Sequence, residues 1–155
     1  MSEQSKTPMR ELLLVDDSPA DVRLAREALR ESHAKFSMTV INGGEQALAW
    51  LVNRAEHDPD AAPVLVLLDM NMPKWDGETT LRNIRGHAKV KSTPVVFLTC
   101  NYEPDTKRVD AVGANAYVWK PDTLSGLTKF FASLDSFWYE HLVRGDPTPD
   151  ERGAE

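Results

Sequence analysis

The chain has 155 residues, enough for one ordinary domain with a full core and too few for two typical ones. Hydrophobic residues at 41% and charged residues at 27% exclude wholesale disorder, and no apolar run approaches the roughly 20 residues of a membrane helix. A net charge of −6 repels nucleic acid, the lone Cys100 excludes an intrachain disulfide or a cysteine-based zinc cluster, and the start MSEQSKTPMRE lacks the apolar segment of a signal peptide. A cytoplasmic protein that binds neither nucleic acid nor membrane is expected. After a flexible start over residues 1–9, ELLLV (11–15) reads as a strand ending at Asp16 and Asp17, and PADVRLAREALRES (19–32) as a helix opened by Ser18 and Pro19. FSMTVI (36–41) is a second strand and GGEQALAWLVNRAE (43–56) a second helix, followed by a polar loop. VLVLL (64–68), GETTLRNIRGHA (77–88), PVVFL (94–98), EPDTKRVDAVG (103–113), AYVW (116–119) and TLSGLTKFFASLDSFWYEHL (123–142) continue the alternation. Residues 10–143 are expected to form one domain, and 144–155, rich in Pro, Gly and charge, a disordered tail.

The order is (βα)5. Leu12–Val15, Val64–Leu68 and Val95–Leu98 are apolar at every position rather than alternating, which suits parallel strands covered by helices on both faces. The class is therefore α/β, a doubly wound parallel five-stranded sheet. Such sheets carry their sites at the carboxyl ends of the strands. Those ends hold Asp16 and Asp17 after the first strand, Asp69 after the third, Thr99 after the fourth, and Lys120 with Pro121 after the fifth.

Three carboxylates gathered at one edge repel one another unless a cation sits among them, and their oxygens suit Mg²⁺. Asp16 and Asp17 read as the metal's holders. Asp69 is then free to act as a nucleophile towards phosphorus, with Lys120 neutralising one phosphoryl oxygen and Thr99 donating a hydrogen bond to another. Singly, each residue has a plainer reading: Asp17 or Ser18 as a helix cap, Thr99 as a strand end, Lys120 as a solvated lysine. Five such residues at the ends of four strands are much harder to explain that way.

Taken together, LLLVDDSPADVRL, VLLDMNMPKWDGETTLRNIR, PVVFLTC and AYVWKP resemble the receiver domain of two-component response regulators, over Glu11 to Leu134. The resemblance implies the flavodoxin-like receiver fold, and Asp69 as acceptor of a phosphoryl group from a sensor histidine kinase. It implies Mg²⁺ held by Asp16, Asp17, Asp69 and the main-chain carbonyl of Asn71, phosphoryl contacts from Thr99 and Lys120, and a cis Lys120–Pro121 peptide. It also implies a switch in which Thr99 moves and Tyr117 follows inward, altering the face formed by the fourth helix, fifth strand and fifth helix; a plain core tyrosine is the competing reading. The loop MPKWDG would turn at Pro73 and Gly77 and bring Trp75 near the acceptor. Cys100 stands where receivers usually have Ala or Ser, and Asn71 and Asn101 lie where side chains tune phosphoryl lifetime.

No output domain is expected beyond the last helix, so output is a contact with a downstream protein or a phosphoryl group passed to a histidine phosphotransfer protein. The loop before the third strand and the Phe137-Trp138-Tyr139 end resemble the small receivers paired with bacterial phytochromes, a light-sensing kinase being implied. In the last helix Phe130 and Leu134 are expected to cover the sheet, while Phe137, Trp138 and Tyr139 form a patch for a homodimer through the fourth-helix to fifth-helix face. A relay intermediate or a phosphate sink is the alternative. A Mg²⁺-dependent phosphatase of the haloacid-dehalogenase type fits less well, because DMN lacks the second acid of its DxD pair. With no general acid/base and no GxxxxGK[ST] loop, a signalling protein rather than an enzyme is expected.

Overall fold

The computed structural model describes residues 10–61, 64–99 and 113–137. Five parallel strands, β1 (Arg10–Val15), β2 (Phe36–Ile41), β3 (Val64–Asp69), β4 (Val95–Thr99) and β5 (Ala116–Trp119), form one sheet in the order β2-β1-β3-β4-β5. Three helices, α1 (Pro19–Ser32), α2 (Gly44–His57) and α3 (Gly77–Arg85), and a C-terminal helix, Leu124–Phe137, cover it. The doubly wound parallel architecture expected from the sequence is the one found. The predicted helix over 103–113 lies outside the described residues except for Gly113.

Period-two alternation along the strands divides the core in two. Leu13, Val15, Val66, Leu68, Val95 and Phe97 face Ala47 and Leu51 of α2 and Leu81 and Ile84 of α3. Leu12, Leu14, Leu65, Leu67, Val96 and Leu98 face Ala25 and Ala28 of α1 and Leu127, Phe131 and Leu134 of the C-terminal helix. β1, β3 and β4 are apolar throughout because both of their faces are roofed. The phase of the last helix differs from the expected one: Leu127, Phe131 and Leu134, spaced i, i+4, i+7, are buried, whereas Phe130 is only partly buried and meets Phe131 edge-on at 5.4 Å. The Phe137 side chain, Trp138 and Tyr139 lie outside what is described.

Local chemistry sets the element ends. The Ser18 hydroxyl accepts from the Asp21 N–H, and Pro19 opens α1, which closes at His33 in the left-handed region. Asp76 caps α3 by accepting from the Thr79 N–H. α3 stops at Arg85, short of the expected Ala88, where the Gly86 N–H returns to the Arg82 carbonyl. β3 and β4 each run one residue further than expected and include Asp69 and Thr99. Both side chains thus project from backbone locked in the ladder, with Asp69 opposite Leu98 and Thr99 opposite Trp119.

Candidate functional site

At the carboxyl edge, β1 lies between β2 and β3, and its ladder continues one residue past the strand, where the Asp16 N–H donates to the Ile41 carbonyl at 3.1 Å. Asp16 is thereby buried (1% exposed), while Asp17 turns to solvent. Asp69, at the end of the central strand, is 6% exposed. Carboxylate oxygens of Asp16, Asp17 and Asp69 all lie within 4.8 Å of one another, a set of oxygen donors that suits a hard divalent cation.

Lys120 follows β5 directly, with its backbone N–H donating to the Thr99 carbonyl at 2.7 Å. Its ammonium donates to Asp16 Oδ2 at 2.8 Å and to Asp21 Oδ2 at 2.8 Å, and stands 3.8 Å from Asp69 Oδ1. Lys120 thus meets Asp16, Asp21 and Asp69, and Asp17 joins the cluster through Asp16 and Asp69, so four carboxylates share this edge with one ammonium, an excess of negative charge that favours a cation. Burial pushes the Asp69 carboxyl up to about 6; Lys120 opposes this, Asp16 and Asp17 add to it, and the Asn71 N–H draws it down. Burial works to lower the Lys120 pKa, but its hydrogen bonds to Asp16 and Asp21 and the charge of Asp69 win, so the ammonium titrates above the usual lysine range.

Thr99 is buried (1% exposed) at the end of the strand beside Asp69. The loop after Asp69 is shaped by close approach more than by glycine freedom. Lys74 takes the left-handed conformation (φ 62), and Gly77 opens α3 with its N–H donating to the Met70 carbonyl at 3.0 Å. A Cβ on Gly77 would lie 2.8 Å from the Met70 Cα and 2.9 Å from the Asp69 carbonyl, so glycine lets α3 start hard against the end of β3. Trp75 stands on the first turn of α2, where a Cβ on Gly44 would meet the Trp75 Cβ at 3.1 Å.

Asp16, Asp17, Asp69 and Lys120 are brought to one point, with Thr99 on the adjoining strand end. Tyr117 lies on β5 opposite Phe97 and is 36% exposed, so it is not a core residue. The expected cis Lys120–Pro121 peptide is not found: the bond is trans, the isomer an X–Pro bond favours by about 0.5–1 kcal/mol, and the trans chain already brings the lysine to its carboxylates. Cys100 and Asn101 lie outside the described residues. The residue that sequence reasoning missed is Asp21. In the first turn of a helix an acid is ordinarily explained by the macrodipole, and the only further signal is that α1 starts at the same sheet edge.

A family model described as the response regulator receiver domain matches residues 12–131. Response regulator Rcp1 of Synechocystis sp. is 36% identical over 144 residues, spanning 92% of this chain and 97% of that protein. The crystal structure of its Mn(2+)-bound form aligns with a TM-score of 0.68 at 35% identity, over 86% of this chain and 96% of that one. The phosphorylated cyanobacterial phytochrome response regulator RcpA aligns at 0.71 with 32% identity, over 84% and 94% of the two chains. The bacteriophytochrome response regulator RtBRR aligns at 0.68 with 32% identity, over 92% and 86%.

Proposed function

The chain belongs to the response regulator receiver domain family, and from that premise we propose that it accepts a phosphoryl group from a phytochrome-type sensor histidine kinase onto Asp69. The observation that carries the reading is the cluster at the sheet edge: three carboxylates within 4.8 Å, the buried one at the end of β3 raised to about 6, and one lysine reaching across from β5. The similarity to Rcp1, RcpA and RtBRR supports the phytochrome pairing.

With a pKa of about 6, Asp69 is mostly ionised at neutral pH and so presents a nucleophilic oxygen. That oxygen forms the new P–O bond as the P–N bond to the kinase histidine breaks, and the imidazole takes the electron pair. Asp16, Asp17, Asp69 and the main-chain carbonyl of Asn71 are the donors for Mg²⁺. When bound, Mg²⁺ supplies positive charge to the phosphoryl oxygens and relieves the repulsion among the acids. The Lys120 ammonium and the Thr99 hydroxyl serve as donors to the remaining phosphoryl oxygens. Phosphorylation then shifts Thr99 and Tyr117 and remodels the surface around β5, where Tyr117 and Trp119 are exposed. A downstream protein, or a twin subunit engaging the Phe137-Trp138-Tyr139 stretch, reads that surface. The domain spans 10–143. Among the described residues no helix is long and apolar enough to cross a membrane.

Phosphotransfer tests the proposal. A bacterial phytochrome kinase autophosphorylated with labelled ATP should pass label to the wild-type protein within minutes, in a light-dependent amount, and none to Asp69→Asn. Label on both proteins, or on neither, contradicts it. Label delivered equally in red and far-red light, or as well by an unrelated kinase, contradicts the phytochrome pairing alone.

A further inference from the structure

We propose that Asp21 is a positioning residue that competes with the phosphoryl group on Asp69 for the Lys120 ammonium, tying the first turn of α1 to the acceptor. The proposal rests on the reading of Asp69 as acceptor. An ammonium has three N–H donors. Here two are spent, on Asp16 and Asp21 at 2.8 Å each, while Asp69 Oδ1 at 3.8 Å lies beyond hydrogen-bond range. The lysine on which the phosphoryl group depends is therefore held one step back from its target.

Asp21 is not a loose surface acid. The Ser18 N–H donates to Asp16 Oδ1 at 3.0 Å, the Asp21 N–H donates to Ser18 Oγ at 3.2 Å, and Lys120 joins Asp21 Oδ2 to Asp16 Oδ2. The four residues make a closed ring at the start of α1, fixed by the helix cap. With Asp16 engaged as a donor to a cation, Asp21 would be left as the main rival of the phosphoryl oxygens. On the α1 side, Lys120 and Asp21 both border a cavity of about 260 Å³ lined also by Leu14, Ala25, Leu127 and Phe131. Asp21 itself is half-exposed, so its hold is that of a partly screened pair, and its removal should change rates and affinities about two- to fivefold.

The test compares wild type with Asp21→Asn, Asp21→Glu and Asp122→Asn. Asp122 lines the same cavity, so its variant reproduces the charge change without touching the ring. At saturating Mg²⁺, the second-order rate of phosphorylation by acetyl phosphate is expected to rise about two- to fivefold in Asp21→Asn relative to Asp122→Asn, and to return towards wild type in Asp21→Glu. A damaged fold would slow the reaction, so acceleration separates positioning from mere structural support. Mg²⁺ affinity, read by titration calorimetry without any phosphoryl donor, should fall about two- to fivefold in Asp21→Asn relative to Asp122→Asn, because the freed lysine settles on the acidic cluster. Equal rates and affinities in Asp21→Asn and Asp122→Asn overturn the proposal. Should wild type gain no phosphoryl group, the acceptor reading has failed, and the Mg²⁺ comparison still decides whether Asp21 holds the lysine.

Discussion

Asp69→Asn should make the cation-free protein more stable, and only where the wild-type carboxyl is ionised. The folded protein raises that carboxyl from 3.8 to about 6, chiefly through burial, with Asp16 and Asp17 adding to the effect. A raised pKa means the folded state binds the proton more tightly than the unfolded chain. The resulting stabilisation is full below about pH 4, fades between pH 4 and 6, and is gone above it. A shift of just over two units at 1.36 kcal/mol each corresponds to roughly 3 kcal/mol, set against ionised Asp69 at neutral pH. Asparagine keeps the shape and cannot ionise. In EDTA at pH 7.5, Asp69→Asn should therefore melt higher than wild type by roughly 6–12 °C, given about 2–4 °C per kcal/mol for a chain of this size. At pH 4 the two proteins should melt within a degree or two of each other. Mg²⁺ at neutral pH should narrow the gap by raising the wild-type melting temperature alone. Calorimetric melts at the two pH values decide the matter: a gap of equal size at both, or a wild type that is the more stable at pH 7.5, refutes the electrostatic account.

Lys120→Ala leaves Asp16, almost wholly buried, without its ammonium, and should cost about 3 kcal/mol in EDTA; Mg²⁺ should recover part of it in the same urea titration. Gly77→Ala places a methyl against the Met70 Cα and the Asp69 carbonyl, so it should cost about 1–3 kcal/mol and slow phosphorylation, read by melts and phosphoprotein gels. Arg85 donates to the carbonyls of Lys91, Thr93 and Gly113 and to Asn115 Oδ1, far from the acidic edge. Arg85→Ala should therefore cost about 1–3 kcal/mol in urea unfolding and leave the phosphorylation rate unchanged. Light scattering should find a homodimer at high concentration, reduced to monomer by Trp138→Ala.

Much of this is legible in the amino-acid sequence. Apolar strands bounded by chemistry-bearing residues gave the sheet and its edge, and Ser18 with Pro19 gave the start of α1, because these signals are local. What escaped was set by reach and phase. Asp21 meets Lys120 across 99 positions of sequence, through two side chains whose contact no periodicity encodes. Phe130 and Phe131 are neighbours on one helix, and only the docking of that helix on α1 decides which ring is buried. Gly77 reads as a turn former, yet its role is to let two backbones approach, which depends on how α3 lands on the end of β3. The Lys120–Pro121 isomer rested on family likeness alone, and the chain reaches its carboxylates in trans.

The central claim is that Asp69 is a phosphoryl acceptor served by Asp16, Asp17, Thr99 and Lys120. Intact mass after incubation with Mg²⁺ and acetyl phosphate tests it most directly, beside Asp69→Asn and an EDTA control. A gain of one phosphoryl group in the wild type, absent from both controls, is the predicted result. No gain in any sample, or an equal gain in Asp69→Asn, would contradict it.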